Sequence, residues 1–539
     1  MPETPLAAGG ASGYDGAEVT LPRPEGSRVK RPIAARRAAG IYLAAIALVA
    51  VCLRILDLVK PSLWFDEGGS LSASSGSSLK AVVVDLAYTT HGDHFQPLYF
   101  ILLHAWRSVF GSAVLSLRMP SVLLGLATLV LLTLVAARVF GWVHGVLTAA
   151  LVATSAFFVM HAQEARPYSL LLLLTALLVY LFVRVREQRA TRPFPPAAWA
   201  LWACFGVAFF GSVLVALFVA GLAVGDLVID RHLRPWLRTW LPCAAAALPS
   251  LAFFVLFSAA ANPSHANVTQ LNGSLARNAV FSLYGMVAGT TYGPPIERLH
   301  GAGTAGVVLS YWPSLLMLGL AMAGAIVGAL LTLRSDTVSR DERSMALILV
   351  VAFVVSYILM AAFAAVAHMN WQPRHSFFLA VPTLLLLPLA ARTRTGRGRS
   401  PWPVIGRVSL GLLLLANVYS LSHYYWDQAY ARDDYRGVAQ YISAHHAPGT
   451  RSVLLYGVLE LLEYYGDDTT VEGDDLPQDH LAEAVRARTD DSPVVYLVSN
   501  REWAFWRQPE SIEQAMAPGY WLLDTVSYPY FEIYRFGRR

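Results

Sequence analysis

Charge is scarce in this sequence. Charged residues make up 14% of its 539 positions and hydrophobic residues 55%, whereas soluble proteins are about one quarter charged. So few charges cannot clothe one large water-soluble globule, which excludes an ordinary cytosolic enzyme. So many apolar residues exclude an intrinsically disordered chain. Cysteine is scarcer still: Cys52, Cys204 and Cys243 all lie in long apolar runs, leaving no disulfide framework and no cysteine-based metal site. Lysine is nearly missing, with only Lys30, Lys60 and Lys80. The net charge of +5 is therefore carried by arginines, clustered in short stretches between apolar runs. That distribution speaks for membrane topology and against a nucleic-acid partner.

What is present is apolar length. Runs of about 20 apolar residues read as membrane helices. Candidates lie at roughly 38–58, 114–137, 143–162, 166–184, 197–211, 213–229, 240–260, 314–333, 344–367, 376–391 and 404–424. The pair at 197–229 is short for two crossings. Residues 1–37 are read as a disordered, basic N-terminus; Arg28, Lys30, Arg31, Arg36 and Arg37 lead straight into an apolar run, which is no cleavable signal.

About eleven spans put the two termini on opposite sides. With the N-terminus in the cytoplasm, the short inner segments hold about 22 Lys and Arg and the longer outer connections about 8, as the positive-inside rule requires. The bulk outside the membrane then faces outward. It comprises a first loop at 59–113, a second at 262–312 and a tail at 427–539. The tail alternates helix-like pieces (Asp434–Ser443, Pro477–Arg488) with strand-like ones (Ser452–Val458, Pro493–Ser499), which predicts a small α/β domain. The organisation expected is 1–37 as N-terminus, 38–426 as transmembrane module and 427–539 as extracytoplasmic domain.

Four polar clusters fall on the predicted outer face. The first is Trp64-Phe65-Asp66-Glu67, just past span one. Acids next to hydrocarbon are costly and point to function, and a carboxylate there can take a proton from a substrate hydroxyl. The alternative is a solvated interfacial turn. The second runs His91-Gly92-Asp93-His94-Phe95-Gln96-Pro97-Leu98-Tyr99 and precedes an amphipathic stretch. His91, Asp93 and His94 suggest metal ligands or hydrogen-bonding partners for a sugar, or a plain polar turn. The third, His161-Ala162-Gln163-Glu164-Ala165-Arg166-Pro167-Tyr168, places Arg166 by a helix N-terminus, where an anion is favoured. The fourth is Asn370-Trp371-Gln372-Pro373-Arg374-His375. Segments so distant in sequence on one membrane face can line a single cavity of a helical bundle.

These motifs resemble the glycosyltransferase C superfamily, specifically its protein O-mannosyltransferase and aminoarabinose-transferase-like group. The resemblance rests on the Asp-Glu pair after span one and the Pro-Leu-Tyr stretch before an amphipathic helix. Glu-x-Arg-x-Tyr opening span four and Arg374 with Pro382 complete it. It implies a fold of about eleven membrane helices with a small α/β outer domain. It also implies a transferase that moves a sugar, with inversion, from a polyprenyl-phosphate donor to a glycolipid, cell-wall polysaccharide or protein acceptor. The setting is the outer face of a bacterial plasma membrane.

By that resemblance Asp66 is the general base, with Glu67 and Glu164 in the catalytic group. Arg166, Arg374 and Lys80 bind the donor phosphate. His91, Asp93, His94, Tyr168 and Trp371 are expected to contact substrate. The aminoarabinose-transferase group carries an acid and a lysine before a Pro-Pro pair where this chain has Phe95-Gln96-Pro97. The expectation is therefore a reaction without cofactor or metal. The rival reading is a transporter or flippase, whose polar groups belong near the bilayer midplane on repeated halves. Here they lie at helix ends and no repeat is visible.

Overall fold

A chain crossing lipid must satisfy every backbone N–H and C=O within itself, and the helix does so locally. The apolar runs accordingly form helices. The computed structural model describes residues 33–539 apart from 89–95, 190, 261–273, 300–303, 393–401, 446–449, 456, 468, 474–475, 477–479, 491 and 501–508. The expected disorder over 1–37 falls mostly outside these residues.

The helices are α1 (Ile33–Ile55), α2 (Phe65–Ala73), α3 (Leu79–Tyr88), α4 (Pro97–Phe110), α5 (Val114–Phe140), α6 (Trp142–Thr154), α7 (Ala156–Ala162) and α8 (Tyr168–Gln188). They continue as α9 (Pro196–Gly211), α10 (Val215–Asp230), α11 (Leu233–Ala260), α12 (Leu275–Ala288), α13 (Ile296–Leu299), α14 (Thr304–Ser310), α15 (Trp312–Leu333) and α16 (Arg340–Val366). After a 3-10 turn at Pro373–Ser376 come α17 (Phe377–Leu386) and α18 (Trp402–Trp426).

Among the described residues, seven helical segments are long and apolar enough to cross a membrane, and α6 with α7 makes an eighth, bent by 58°. The apolar part of α1 (Gly40–Ile55) and α9 are shorter. The stretch 197–229 is resolved into two helices, α9 and α10. Helix α5 packs on α6 and α8, α10 on α16, and α15 on α18.

The bend between α6 and α7 has an identifiable chemistry. Ser155 leaves the helical conformation, which frees carbonyls of the preceding turn. Arg54, fully buried on α1, donates to the Val152 and Ala153 carbonyls at 3.2 and 3.3 Å. Asn417 Oδ1 of α18 accepts the Ala156 N–H at 2.8 Å. The broken helix brings the turn at 163–167 back toward the end of α1. There Gln163 Nε2 donates to the carbonyls of Leu53, Arg54 and Leu56.

Outside the bundle lies the expected α/β domain. Its helices are α19 (Tyr435–His445), α20 (Leu459–Tyr464), α21 (Leu481–Arg488) and α22 (Pro509–Met516). Its strands are β1 (Thr450–Leu454), β2 (Thr470–Glu472), β3 (Val494–Asn500), β4 (Tyr520–Tyr528) and β5 (Phe531–Arg538). They form one sheet in the order β2-β1-β3-β5-β4. The pairs β1–β2 and β1–β3 are parallel, while β3–β5 and β4–β5 are antiparallel. Leu481, Val485, Val495, Leu497, Ile512 and Phe536 fill one core of the domain.

The domain also presses on α2. Gly68 makes that approach possible: a Cβ there would sit 2.8 Å from Leu461 and Val458 side-chain atoms. Leu63 N–H donates to Tyr465 Oη at 2.8 Å, and Tyr464 Oη to the Ser112 carbonyl at 2.9 Å. Helix α2 is thus held from the side of the outer domain.

Candidate active site

Asp66 and Glu67 sit in the first turn of α2, where carboxylates complement the positive end of the helix dipole. Neighbours on a helix point in directions about 100° apart, so the two acids meet different surroundings. Glu67 turns inward. Arg118 of α5 grips it with two parallel bonds, Nε to Oε1 at 2.8 Å and Nη2 to Oε2 at 2.6 Å. The Ala165 N–H adds a third at 2.8 Å. The remaining Arg118 donors reach the carbonyls of Leu58, Pro61 and Ser62. These contacts tie together the end of α1, the start of α2, α5 and the turn at 163–167.

Asp66 turns the other way and pairs with Arg374. Both keep some exposure, 16% and 22% of their side chains, against none for Glu67. Arg374 stands on the 3-10 turn Pro373–Ser376, which Gln372 and His375 cap reciprocally. Its Nε is buried without a hydrogen-bond partner among the described residues. Arg166 reaches the same place, its Nη1 donating to the Asp66 carbonyl at 2.9 Å and to Ser70 Oγ at 3.2 Å. Its guanidinium carbon lies 5.9 Å from the centre of the Phe100 ring.

Glu164 is buried between Arg432 and His161. Its Oε1 accepts from Arg432 Nη2 at 2.8 Å, and its Oε2 lies 2.9 Å from His161 Nδ1. Burial pushes its carboxyl upward, but Arg432, His161 and Arg374 overcome burial and hold it down at about 2. Arg432 also donates to Tyr424 Oη at 3.1 Å and lies over the rings of Trp64 and Tyr424. Asp433, 4% exposed, accepts the Phe65 N–H at 3.3 Å. Four carboxylates (Asp66, Glu67, Glu164, Asp433) and four guanidiniums (Arg118, Arg166, Arg374, Arg432) therefore form one cluster. Such a group of acids and guanidiniums in a shielded place can bind an anion and move a proton.

The structure thus brings together Asp66, Glu67, Glu164, Arg166 and Arg374. Lys80 stands exposed on α3. Trp371, expected to contact substrate, is fully buried: its indole N–H donates to Ser376 Oγ at 2.7 Å and its ring packs on Tyr357. It is a packing residue that supports the Arg374 turn. Tyr168 is likewise buried, its ring 4.8 Å from that of His161. His91, Asp93 and His94 lie outside the described residues.

Arg118, Arg432 and Asp433 escape the motif reading. Arg118 had a signal, a charge just inside an apolar span. Arg432 and Asp433 belong to the dense charge run Arg432-Asp433-Asp434-Tyr435-Arg436, which looks like the solvated start of the outer domain.

Comparison with known proteins bears on this arrangement. Residues 93–258 match the family model of dolichyl-phosphate-mannose-protein mannosyltransferase. No curated protein matches by sequence. By structure the chain is similar to ArnT from Cupriavidus metallidurans in the apo state, with TM-score 0.54 and 14% identity, covering 93% of this chain and 98% of that one. ArnT bound to undecaprenyl phosphate gives 0.53 and 14%, with 92% and 98% covered. The archaeal oligosaccharyltransferase AglB from Archaeoglobus fulgidus, in complex with an inhibitory peptide and a dolichol-phosphate, gives 0.50 and 12%, with 93% and 74% covered. The chain shares the fold of these multi-span membrane enzymes, in line with the resemblance carried by its motifs.

Proposed function

We propose that this chain, a membrane glycosyltransferase by its fold and by the family its 93–258 segment matches, uses the Asp66 cluster to transfer a sugar. The donor is a polyprenyl-phosphate sugar. The acceptor is a hydroxyl of a glycolipid, cell-wall polysaccharide or protein on the outer face of a bacterial plasma membrane. The observation that carries this reading is the pairing of Asp66, in the first turn of α2, with Arg374 beside Arg166. The ArnT and AglB structures hold undecaprenyl phosphate and dolichol-phosphate respectively, which supports a lipid-phosphate donor. The positive-inside asymmetry supports an outward-facing cluster with the N-terminus in the cytoplasm.

In the proposed reaction, Asp66 accepts the proton of the acceptor hydroxyl. The oxygen attacks the anomeric carbon from the face opposite the phosphate. The carbon–oxygen bond to the phosphate breaks, and the lipid phosphate leaves with the electron pair, inverting the configuration. Guanidinium offers a planar fork that fits phosphate oxygens. Arg374 has an unsatisfied Nε for this purpose, and Arg166 stands beside it. A phosphate drawing Arg374 toward itself also loosens that residue's grip on Asp66, so donor binding prepares the base. With arginines supplying the counter-charge, the proposal needs no metal. Glu67 and Glu164 are assigned to positioning, because Arg118 holds the one and Arg432 the other.

The test is transfer by the purified protein from labelled polyprenyl-phosphate mannose, arabinose or glucose to a cell-envelope acceptor extract. Wild type is expected to give a covalent product, and Asp66→Asn none while remaining folded. Near-wild-type turnover by Asp66→Asn would sink the assignment of the base. A transporter would give no covalent product with any donor.

A further inference from the structure

The segment joining the last membrane helix to the outer domain enters the site. Arg432 and Asp433 follow the short turn Gln428–Tyr430 after α18, and in the cluster Arg432 is half-buried and Asp433 buried. Asp433 Oδ2 accepts the N–H of Phe65, the first residue of α2. Trp64, at the N-cap of α2, supplies no side-chain cap. Asp433 therefore caps, from 368 residues away, the helix that presents Asp66.

Asp66 on α2 and Arg432 on its own linker both act on Asp433. Arg432 is also engaged by Glu164 and Tyr424. Burial, opposed by the Phe65 N–H and reinforced by Asp66, pushes the Asp433 carboxyl up to about 7.

We propose that Asp433 is a positioning residue for the transfer reaction: it fixes the first turn of α2, and its negative charge favours arrival of the acceptor proton on Asp66. This rests on the sugar-transfer reading above. Two neighbouring carboxylates repel, and the repulsion is relieved when one of them takes a proton. As the acceptor oxygen bonds to the anomeric carbon and the lipid phosphate departs with its electron pair, the released proton ends on an Asp66 oxygen. An ionised Asp433 makes that destination more favourable. Linker and outer domain are on this view parts of the active site, since they deliver the cap.

The experiment compares full-length wild type, Asp433→Asn and Asp433→Glu for kcat and donor KM over about pH 5.5 to 9, with Asp66→Asn alongside. Asn is nearly isosteric and retains an oxygen for the Phe65 N–H, but it carries no charge. The kcat of wild type is expected to rise through about pH 7 as Asp433 ionises. Asp433→Asn should lose that limb, and its kcat should fall about ten-fold at high pH with KM within about two-fold. It should melt no lower than wild type at about pH 8, because it no longer buries a charge. Asp433→Glu should restore the limb.

Asp433→Asn keeping the wild-type limb and kcat would overturn the inference while leaving the sugar-transfer reading intact, provided Asp66→Asn is inactive. A pH-independent loss that accompanies a lowered melting point, unrescued by Glu, would overturn it in favour of a purely structural role. Absence of transfer by wild type from every donor would overturn both.

Discussion

Glu67 and Arg118 face each other through two hydrogen bonds of 2.8 and 2.6 Å, with 0% and 2% of their side chains exposed. The pair closes the corner where α1, α2 and α5 meet. Breaking a buried ion pair from one side leaves an uncompensated charge, at a cost of about 3–5 kcal/mol. Glu67→Ala should therefore lower the melting temperature of the detergent-purified protein strongly. The double variant Glu67→Leu with Arg118→Met should recover part of the loss, since apolar replacement of both partners is often tolerated. Thermal melts of the three variants check this.

Arg374 has a different task from Arg118, and substitution should reveal it in kinetics more than in stability. Lysine keeps the charge of Arg374 but not the planar fork. Arg374→Lys should raise the donor KM about ten-fold and change the acceptor KM little. Steady-state kinetics with each substrate varied in turn gives the split.

Glu164 links the site to acid stability. Its folded value of about 2 lies below the ordinary carboxylate range. Its contribution is therefore complete above the unfolded value of about 4.3 and is lost as pH falls from there toward 2. The size is on the order of 3 kcal/mol. Arg432→Gln removes the strongest charge holding it ionised, so the acid-unfolding midpoint should move to higher pH. Circular dichroism along an acid titration measures the shift.

Gly68 tests the seam between bundle and outer domain. Valine there would drive carbon into Leu461 and Val458, already 2.8 Å from a Cβ position. Overpacking of this kind costs about 1–3 kcal/mol. Gly68→Val should loosen α20 from α2 and reduce transfer, and it should speed proteolytic removal of the outer domain. Gel-resolved limited proteolysis alongside activity decides it.

Much of this molecule was legible before folding. The apolar runs yielded the helices, and the pieces read around 434–443, 477–488 and 493–499 returned as α19, α21 and β3. Asp66, Glu164, Arg166 and Arg374 were legible as a group because charge is so rare near the spans. The burial of Trp371 was not legible, since an aromatic beside a polar motif gives no sign of whether it faces substrate or core. Asp433 was missed because it stands in a dense charge run that reads as solvated, while its actual surroundings come from α2.

The sequence by itself determined where the long apolar helices lie and where basic residues cluster between apolar runs. Both are sums over neighbouring residues, and such sums survive without a structure. Only the tertiary structure decided which arginine each of two adjacent acids meets. Glu67 is taken by a partner 51 residues on and Asp66 by one 308 residues on. Ion pairing depends on distance through space in a medium of low dielectric. No local pattern in the chain encodes that distance.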